Sequence, residues 1–255
     1  MKGECSLQAN QRRKLVIKEI NEQGKVEIDQ LAEQLQVSAM TIRRDLTLLE
    51  EDGRLIRTMG GAVLPKPLIN ETPFSTKETH HIERKKQIAK KAFQFIESEQ
   101  TILLDAGTTT LELAKLIKNE HNLTVITNDI RIAAELIESK LNVIIIGGTV
   151  QNNIGTIYGA KAIEFIEEIY VDLFFLGTHA VDFYAGVTSP SLEKSILKQA
   201  MLRSAESTWL LADSSKIGEK AFSKVCDLQD ITGFITDDDI SLPVKTELQD
   251  DIEIL

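Results

Sequence analysis

The sequence predicts an α/β protein in two parts, a small helical module ending in a hairpin and a larger domain on a mostly parallel sheet. Three observations predict it. Apolar residues recur at helical spacing through residues 11–52. From residue 101 onward, short apolar runs alternate with helical segments. Between the two, Pro65, Pro67 and Pro73 interrupt regular structure. A chain of 255 residues, 42% hydrophobic and 27% charged, has the length for two domains and the composition of an ordinary globular protein.

The formal charge of −10 is unevenly spread. Residues 1–64 hold ten Lys/Arg and ten Asp/Glu, so the whole deficit falls on the remainder. That asymmetry suits a small module that meets a polyanion and a larger one that does not; compositional scatter explains the charges alone equally well, and the residue pattern decides. The apolar runs around Leu103, Ile145 and Phe174 are far shorter than the roughly 18 residues of a membrane helix. Residues Met1 to Cys5 open no apolar leader, and two cysteines, Cys5 and Cys226, are too few for a disulfide framework or a four-ligand metal site. A cytoplasmic protein without a membrane partner, metal or cofactor is expected.

The first helix is read from Leu15, Val16 and Ile20, with Gly24 as its stop. Val26 and Ile28 follow, then a short second helix carrying Leu31, Ala32 and Leu35. After the tight connection at Gln36-Val37, Ser38 is placed to cap a third helix that runs to about Asp52 and ends at Gly53. Residues 55–57 and 62–64 flank Thr58-Met59-Gly60-Gly61 as a hairpin, completing a winged helix-turn-helix over residues 1–64. On the third helix, Ile42, Leu46 and Leu49 form the inward stripe, while Met40, Arg43, Arg44 and Thr47 face out. Its cations sit in the N-terminal half and its acids, Glu50, Glu51 and Asp52, at the far end, the polarity of a helix that enters the major groove by its N-terminus. Arginine there grips phosphate or forks onto guanine; a solvated helix face is the bland alternative. The candidate DNA-contact set is Ser38, Met40, Thr41, Arg43, Arg44, Thr47, Arg57, Thr58, Gly60 and Gly61.

The run from Ile28 to Leu46, with its Thr41-Ile42-Arg43-Arg44-Asp45-Leu46 core and its Gly60-Gly61-Ala62 hairpin, resembles the DNA-binding domain of the DeoR family of bacterial transcriptional regulators. The resemblance implies sequence-specific binding of double-stranded operator DNA, most often as a repressor.

Residues 65–80 read as the linker and 81–255 as the second domain. Glu83-Arg84-Lys85-Lys86 enters a helix through Phe95 as a solvated charged face. Strands are then read at 101–105, 123–127, 142–147, 173–177, 208–212 and 233–236, with helices at 109–118, 130–139, 160–169 and 192–205 between them. Alternation of this kind indicates a parallel sheet covered on both faces. Ligands of such sheets gather at the carboxyl ends of the strands. Asp105, Gly107, Thr108, Thr109 and Thr110 follow the first of these strands and open a helix; Thr127-Asn128, Gly147-Gly148 and Asp213 to Lys216 follow later ones. Carboxylates, hydroxyls, bare amides and Lys216 together suit a small phosphorylated polyol; a helix cap at Asp105 and an ordinary turn at Gly147-Gly148 are the plainer readings. The histidines show no metal-ligand spacing, and His179 reads as a hydrogen-bonded loop residue.

The same stretches extend the resemblance to the family's effector domain, whose fold is similar to ribose-5-phosphate isomerase. It is matched by Asp105 to Thr109, Thr127-Asn128, Gly147-Gly148, Asp172 to Gly177 and Ala212 to Lys216. The implied effector is a phosphorylated sugar or related metabolite that changes operator affinity. Three departures stand out: Gln151 replaces a common arginine, Thr178-His179-Ala180-Val181 follows Gly177, and Lys194 stands where a glutamate is usual, with Glu193 beside it. Either the effector differs from the family's common ones or Lys194 supplies the missing arginine's charge, and Lys194 joins the effector set with Asp213 and Lys216. A single recognition helix specifies too short a site, so a homo-oligomer, dimer or tetramer, is expected on paired half-sites. The rival from another class is a sugar-phosphate isomerase with a helical appendage, which turnover of pentose or hexose phosphates would reveal. A sugar-binding scaffold without DNA affinity is the third reading.

Overall fold

The computed structural model describes residues 9–51, 54–63, 68–69, 71–242, 245–246 and 252–255. The expected helix stop at Gly53 and the linker prolines Pro65 and Pro67 lie outside these residues. The chain divides into two units, Met1–Pro67 and Leu68–Leu255.

In the first unit the elements are α1 (Ala9–Gln23), β1 (Lys25–Glu27), α2 (Ile28–Gln34), α3 (Ala39–Glu51), β2 (Ile56–Arg57) and β3 (Gly61–Val63). The strands form an antiparallel sheet in the order β1-β3-β2. Val16, Ile20, Ile42, Leu46, Leu49 and Leu55 are buried in one core, as the 3.6-residue spacing of α1 and α3 requires. Gly61 is needed for packing: a Cβ there would lie 1.8 Å from the Val26 carbonyl oxygen.

The second unit begins with α4 (Phe74–Thr79) and α5 (Ile82–Phe93). Residues 74–79, within the stretch read as linker, are therefore helical. Pro73 precedes the helix rather than breaking it, since a proline's fixed φ suits a helix start, and Phe74 is buried in the core. Then come β4 (Thr101–Leu104), α6 (Thr108–Ile117), β5 (Thr124–Thr127), α7 (Ile130–Leu136), β6 (Asn142–Ile145), β7 (Thr149–Val150), β8 (Ile157–Tyr158), α8 (Ala160–Glu167) and β9 (Val171–Gly177). They are followed by β10 (Ala180–Asp182), β11 (Gly186–Ser189), α9 (Leu192–Ser204), β12 (Ala205–Leu211), β13 (Ser223–Cys226), β14 (Gly233–Ile235) and β15 (Glu253–Ile254).

The main sheet is parallel in the order β15-β14-β12-β9-β4-β5-β6. Alternate residues of its central strands feed two cores: Leu103, Phe174 and Leu210 point to one, Leu104, Phe175 and Leu211 to the other. Two small antiparallel sheets, β7-β8 and β10-β11-β13, are additions the sequence reading did not contain. From β4 the chain winds outward through β5 to β6, then returns to place β9 on the other side of β4. The strand order thus reverses between β4 and β9, and open α/β sheets leave a crevice for ligands outside the carboxyl ends at such a point.

Candidate functional site

On α3, Ser38 Oγ accepts from the Thr41 backbone N–H at 3.2 Å and lies 2.9 Å from Thr41 Oγ1, so the hydroxyl cap and Thr41 are tied to each other. Met40, Arg43 and Arg44 are exposed. Thr47 is half-buried; its hydroxyl donates to the Arg43 carbonyl at 2.9 Å and accepts from the Arg57 guanidinium at 3.0 Å. Arg57 therefore braces the hairpin against α3, helped by its backbone N–H donating to Glu50 Oε1 at 2.8 Å. Thr58 closes the hairpin turn by donating to the Gly61 carbonyl at 3.0 Å, Gly60 is open, and Met59 at the tip is fully exposed.

Asp45, directly after the two arginines on α3, is buried at 3% exposure. Its carboxylate accepts from Arg12 Nε at 2.5 Å, joining α3 to α1, with Arg13 Nε at 3.8 Å. The acid next to Arg43 and Arg44 is thus spent inside the unit. Among the described residues no ion pair engages either arginine, and both stay available to an external anion.

At the carboxyl edge of the main sheet, Asp105 follows β4 directly at the strand-order reversal. It does not cap α6. Its Oδ2 accepts from the Gly177 N–H at 3.0 Å and from Lys198 Nζ, which also donates to the Gly177 carbonyl at 2.7 Å. Its Oδ1 is buried without a partner among the described residues. Thr110 Oγ1 donates to the Asp105 and Gly107 carbonyls at 2.7 and 3.0 Å, shaping the loop, and Thr108 is buried beside it while Gly107 and Thr109 remain half-exposed. Thr127 is fully buried and donates to the Leu104 carbonyl at 2.8 Å, a tie between β5 and β4. Asn128 Nδ2 donates to the Ile157 carbonyl at 3.4 Å while its Oδ1, like Gln151 Oε1, is buried and has no partner among the described residues. Gly147 and Gly148 are exposed; Gly148 has φ +155° and a Cβ would come within 2.6 Å of the Tyr158 carbonyl oxygen. Asp213 is buried and caps a 3-10 turn, accepting from the Ser215 backbone N–H at 3.1 Å, and half-buried Lys216 ends that turn.

Glu71 and Lys77 at this edge are not singled out from sequence, whereas Lys194 belongs to the expected effector set. Lys194 lies in the first turn of α9 with Nζ on both carboxylate oxygens of Glu71; Gln151 Nε2 donates to Glu71 at 3.0 Å and Lys77 Nζ lies 3.5 Å from it. Burial, the largest influence, pushes Glu71 upward, but the Lys194 charge and hydrogen bond, Lys77 and Gln151 together hold it below the usual carboxylate range. Lys85, read as part of a solvated face, is buried and donates to the Lys77 carbonyl and, at 2.6 Å, to the His80 carbonyl at the end of α4. Arg84 also turns inward, to Ser214 Oγ at 3.2 Å and Asp239 at 2.7 Å, whereas Glu83 and Lys86 are exposed as expected. Asp129 caps α7, accepting from the Arg131 N–H at 2.8 Å; burial pushes it up to about 6. Cys226 is buried, which pushes its thiol up to about 12, unsuited to nucleophilic work. Among the described residues no group of three or more His, Cys, Asp or Glu is placed to hold a metal, and no helix is long and apolar enough to cross a membrane.

Two family models match the chain: a DeoR-like helix-turn-helix domain over residues 12–67 and a DeoR C-terminal sensor domain over residues 80–238. Curated relatives match along most of their length. The HTH-type transcriptional regulator GlpR of Haloferax volcanii is 33% identical over 94% of both chains. The uncharacterized regulator FruR of Bacillus subtilis is 34% identical over 89% of this chain and 90% of its own. The lactose phosphotransferase system repressor of Staphylococcus epidermidis is 33% identical over 94% and 96%. These relatives are transcriptional regulators, not enzymes. Among solved structures, ribose 5-phosphate isomerase A of Methanocaldococcus jannaschii is similar with a TM-score of 0.39 at 16% identity over 52% of this chain and 53% of that one. The eIF2B beta subunit of Chaetomium thermophilum is similar with a TM-score of 0.46 at 15% identity over 67% and 54%.

Proposed function

Since this chain belongs to the DeoR family of transcriptional regulators, we propose that it controls sugar-metabolism genes as a cytoplasmic, homo-oligomeric repressor whose operator affinity answers to a phosphorylated sugar. One observation carries the effector reading. Buried acceptors without partners among the described residues, Asp105 Oδ1, Asn128 Oδ1 and Gln151 Oε1, stand along a strand-end edge that also holds Lys77, Lys194, Lys198 and Lys216. Buried acceptors left open cost free energy until a donor arrives. Sugar hydroxyls are such donors, and lysines serve the phosphate. Lys194 then plays the part expected of the absent arginine at position 151. Replacing it by alanine should weaken a phosphorylated ligand about tenfold or more, measured by thermal shift across a panel of sugar phosphates followed by calorimetry. Unchanged affinity would remove Lys194 from the site.

The DNA half of the proposal rests on Arg43 and Arg44, the exposed arginines of a capped helix. In a mobility shift with the fragment upstream of its own gene, Arg44→Ala should cost about 1–3 kcal/mol of binding and flatten the dependence on salt. A variant that binds like the wild type at every salt concentration would end this assignment, and no shift with the wild type would favour the scaffold reading. The effector acts only through different affinities for two arrangements of the protein, so DNA must weaken effector binding by the factor that effector weakens DNA binding.

A further inference from the structure

Glu71 sits in a cradle built for an anion. Its carboxylate is mostly buried and is met from three separate elements: Lys194 in the first turn of α9, Gln151 after β7 and Lys77 on α4. Two ammonium groups and a side-chain amide around one oxygen-rich group are a donor set that serves phosphate as well as carboxylate. Cations outnumber the single carboxylate between them. Burial, with repulsion from Lys194 and Lys216, brings Lys77 down to about 8 despite the attraction of Glu71, and Lys194 is lowered too, first by burial. A phosphate carries ≈ −1.5 to −2 at neutral pH and would neutralise both lysines where one carboxylate does not. Gln151 Oε1, buried without a partner among the described residues, adds an acceptor that Glu71 leaves unused.

We propose that Lys77, Lys194 and Gln151 form the phosphate subsite of the effector pocket, and that Glu71 occupies it in the ligand-free protein as a built-in competitor displaced by the ligand. This rests on the reading that the second unit takes a phosphorylated ligand. Glu71 follows Pro67, the last residue of the first unit, by only four positions, whereas the chain just beyond it is tied down by the Phe74 N–H on the Asn153 carbonyl at 3.2 Å and by Lys85 on the end of α4. Exchange of anions therefore releases Glu71 while Phe74 and α4 stay held. The ligand thereby gains the unequal affinity for two states that an effector requires.

Calorimetry of the full chain with inorganic phosphate tests the competitor. Glu71→Gln and Glu71→Ala should each bind phosphate about tenfold more tightly than the wild type, because sites once blocked become competent. Adding Lys77→Met or Lys194→Met to either should abolish the gain. Acetate, against chloride at equal ionic strength, should weaken phosphate binding to Glu71→Ala but not to the wild type. If both Glu71 variants bind phosphate no more tightly than the wild type while Lys194→Met abolishes binding, the subsite stands and the competitor is overturned. If neither phosphate nor any phosphorylated sugar binds wild type or variants, the effector reading falls with it.

Discussion

Replacing Asp45 by alanine is expected to destabilise the first unit by about 3 kcal/mol, because it breaks a buried ion pair with Arg12 by removing one partner. The pair is 5% and 10% exposed at its side chains and joins α1 to α3, so solvent screens it little. Removing both charges with apolar residues of similar volume is a smaller perturbation than removing one. Arg12→Met with Asp45→Leu should therefore recover much of the loss. In a domain of this size the single change lowers the unfolding midpoint by about 10 °C or more, read as an early transition in calorimetry of the full chain. Operator binding at growth temperature should fall with it, although Asp45 faces away from the exposed arginines. A midpoint within a degree or two of the wild type would show that the ion pair does not hold the unit together.

Lys198→Met should destabilise the second unit by a similar amount, about 3 kcal/mol. Lys198 is 8% exposed and its ammonium answers two acceptors, Asp105 Oδ2 and the Gly177 carbonyl, across the reversal between β4 and β9. Methionine fills the space and leaves a fully buried carboxylate with, among the described residues, only the Gly177 N–H on Oδ2. Adding Asp105→Asn removes the stranded charge while keeping an acceptor for that N–H, so the double variant should regain part of the loss. Thermal unfolding of the four proteins checks both statements; a purely additive double variant would contradict the coupling.

The helices and central strands were legible because their signals are local. Ile42, Leu46 and Leu49 declare the buried stripe of α3, Ser38 its start, and the run Leu173 to Leu176 a strand buried on both faces. The strand ends that carry Asp105, Asn128 and Asp213 followed from the same alternation. What stayed hidden depends on partners far apart in sequence. Glu71 meets Lys194 123 positions later, and Lys198 meets Asp105 93 positions earlier. No periodicity marks a single acid in a proline-rich stretch as half of such a pair. Lys85 was misread for a related reason: a lysine whose stem is buried and whose ammonium caps another helix has the same sequence neighbourhood as one in solvent. The small sheets β7-β8 and β10-β11-β13 have strands of two to four residues, too short for alternation to register.

The missing side chain at Gly61 has a practical corollary for anyone wishing to retarget this regulator. With the Val26 oxygen occupying the place of a Cβ and the Gly60 carbonyl taking the Ile28 N–H at 2.8 Å, the base of the hairpin tolerates no bulk. Thr58, Met59 and the open position at Gly60 are where combinatorial libraries can be drawn widely. Randomising position 61 would spend most clones on misfolded modules rather than on altered operator preference.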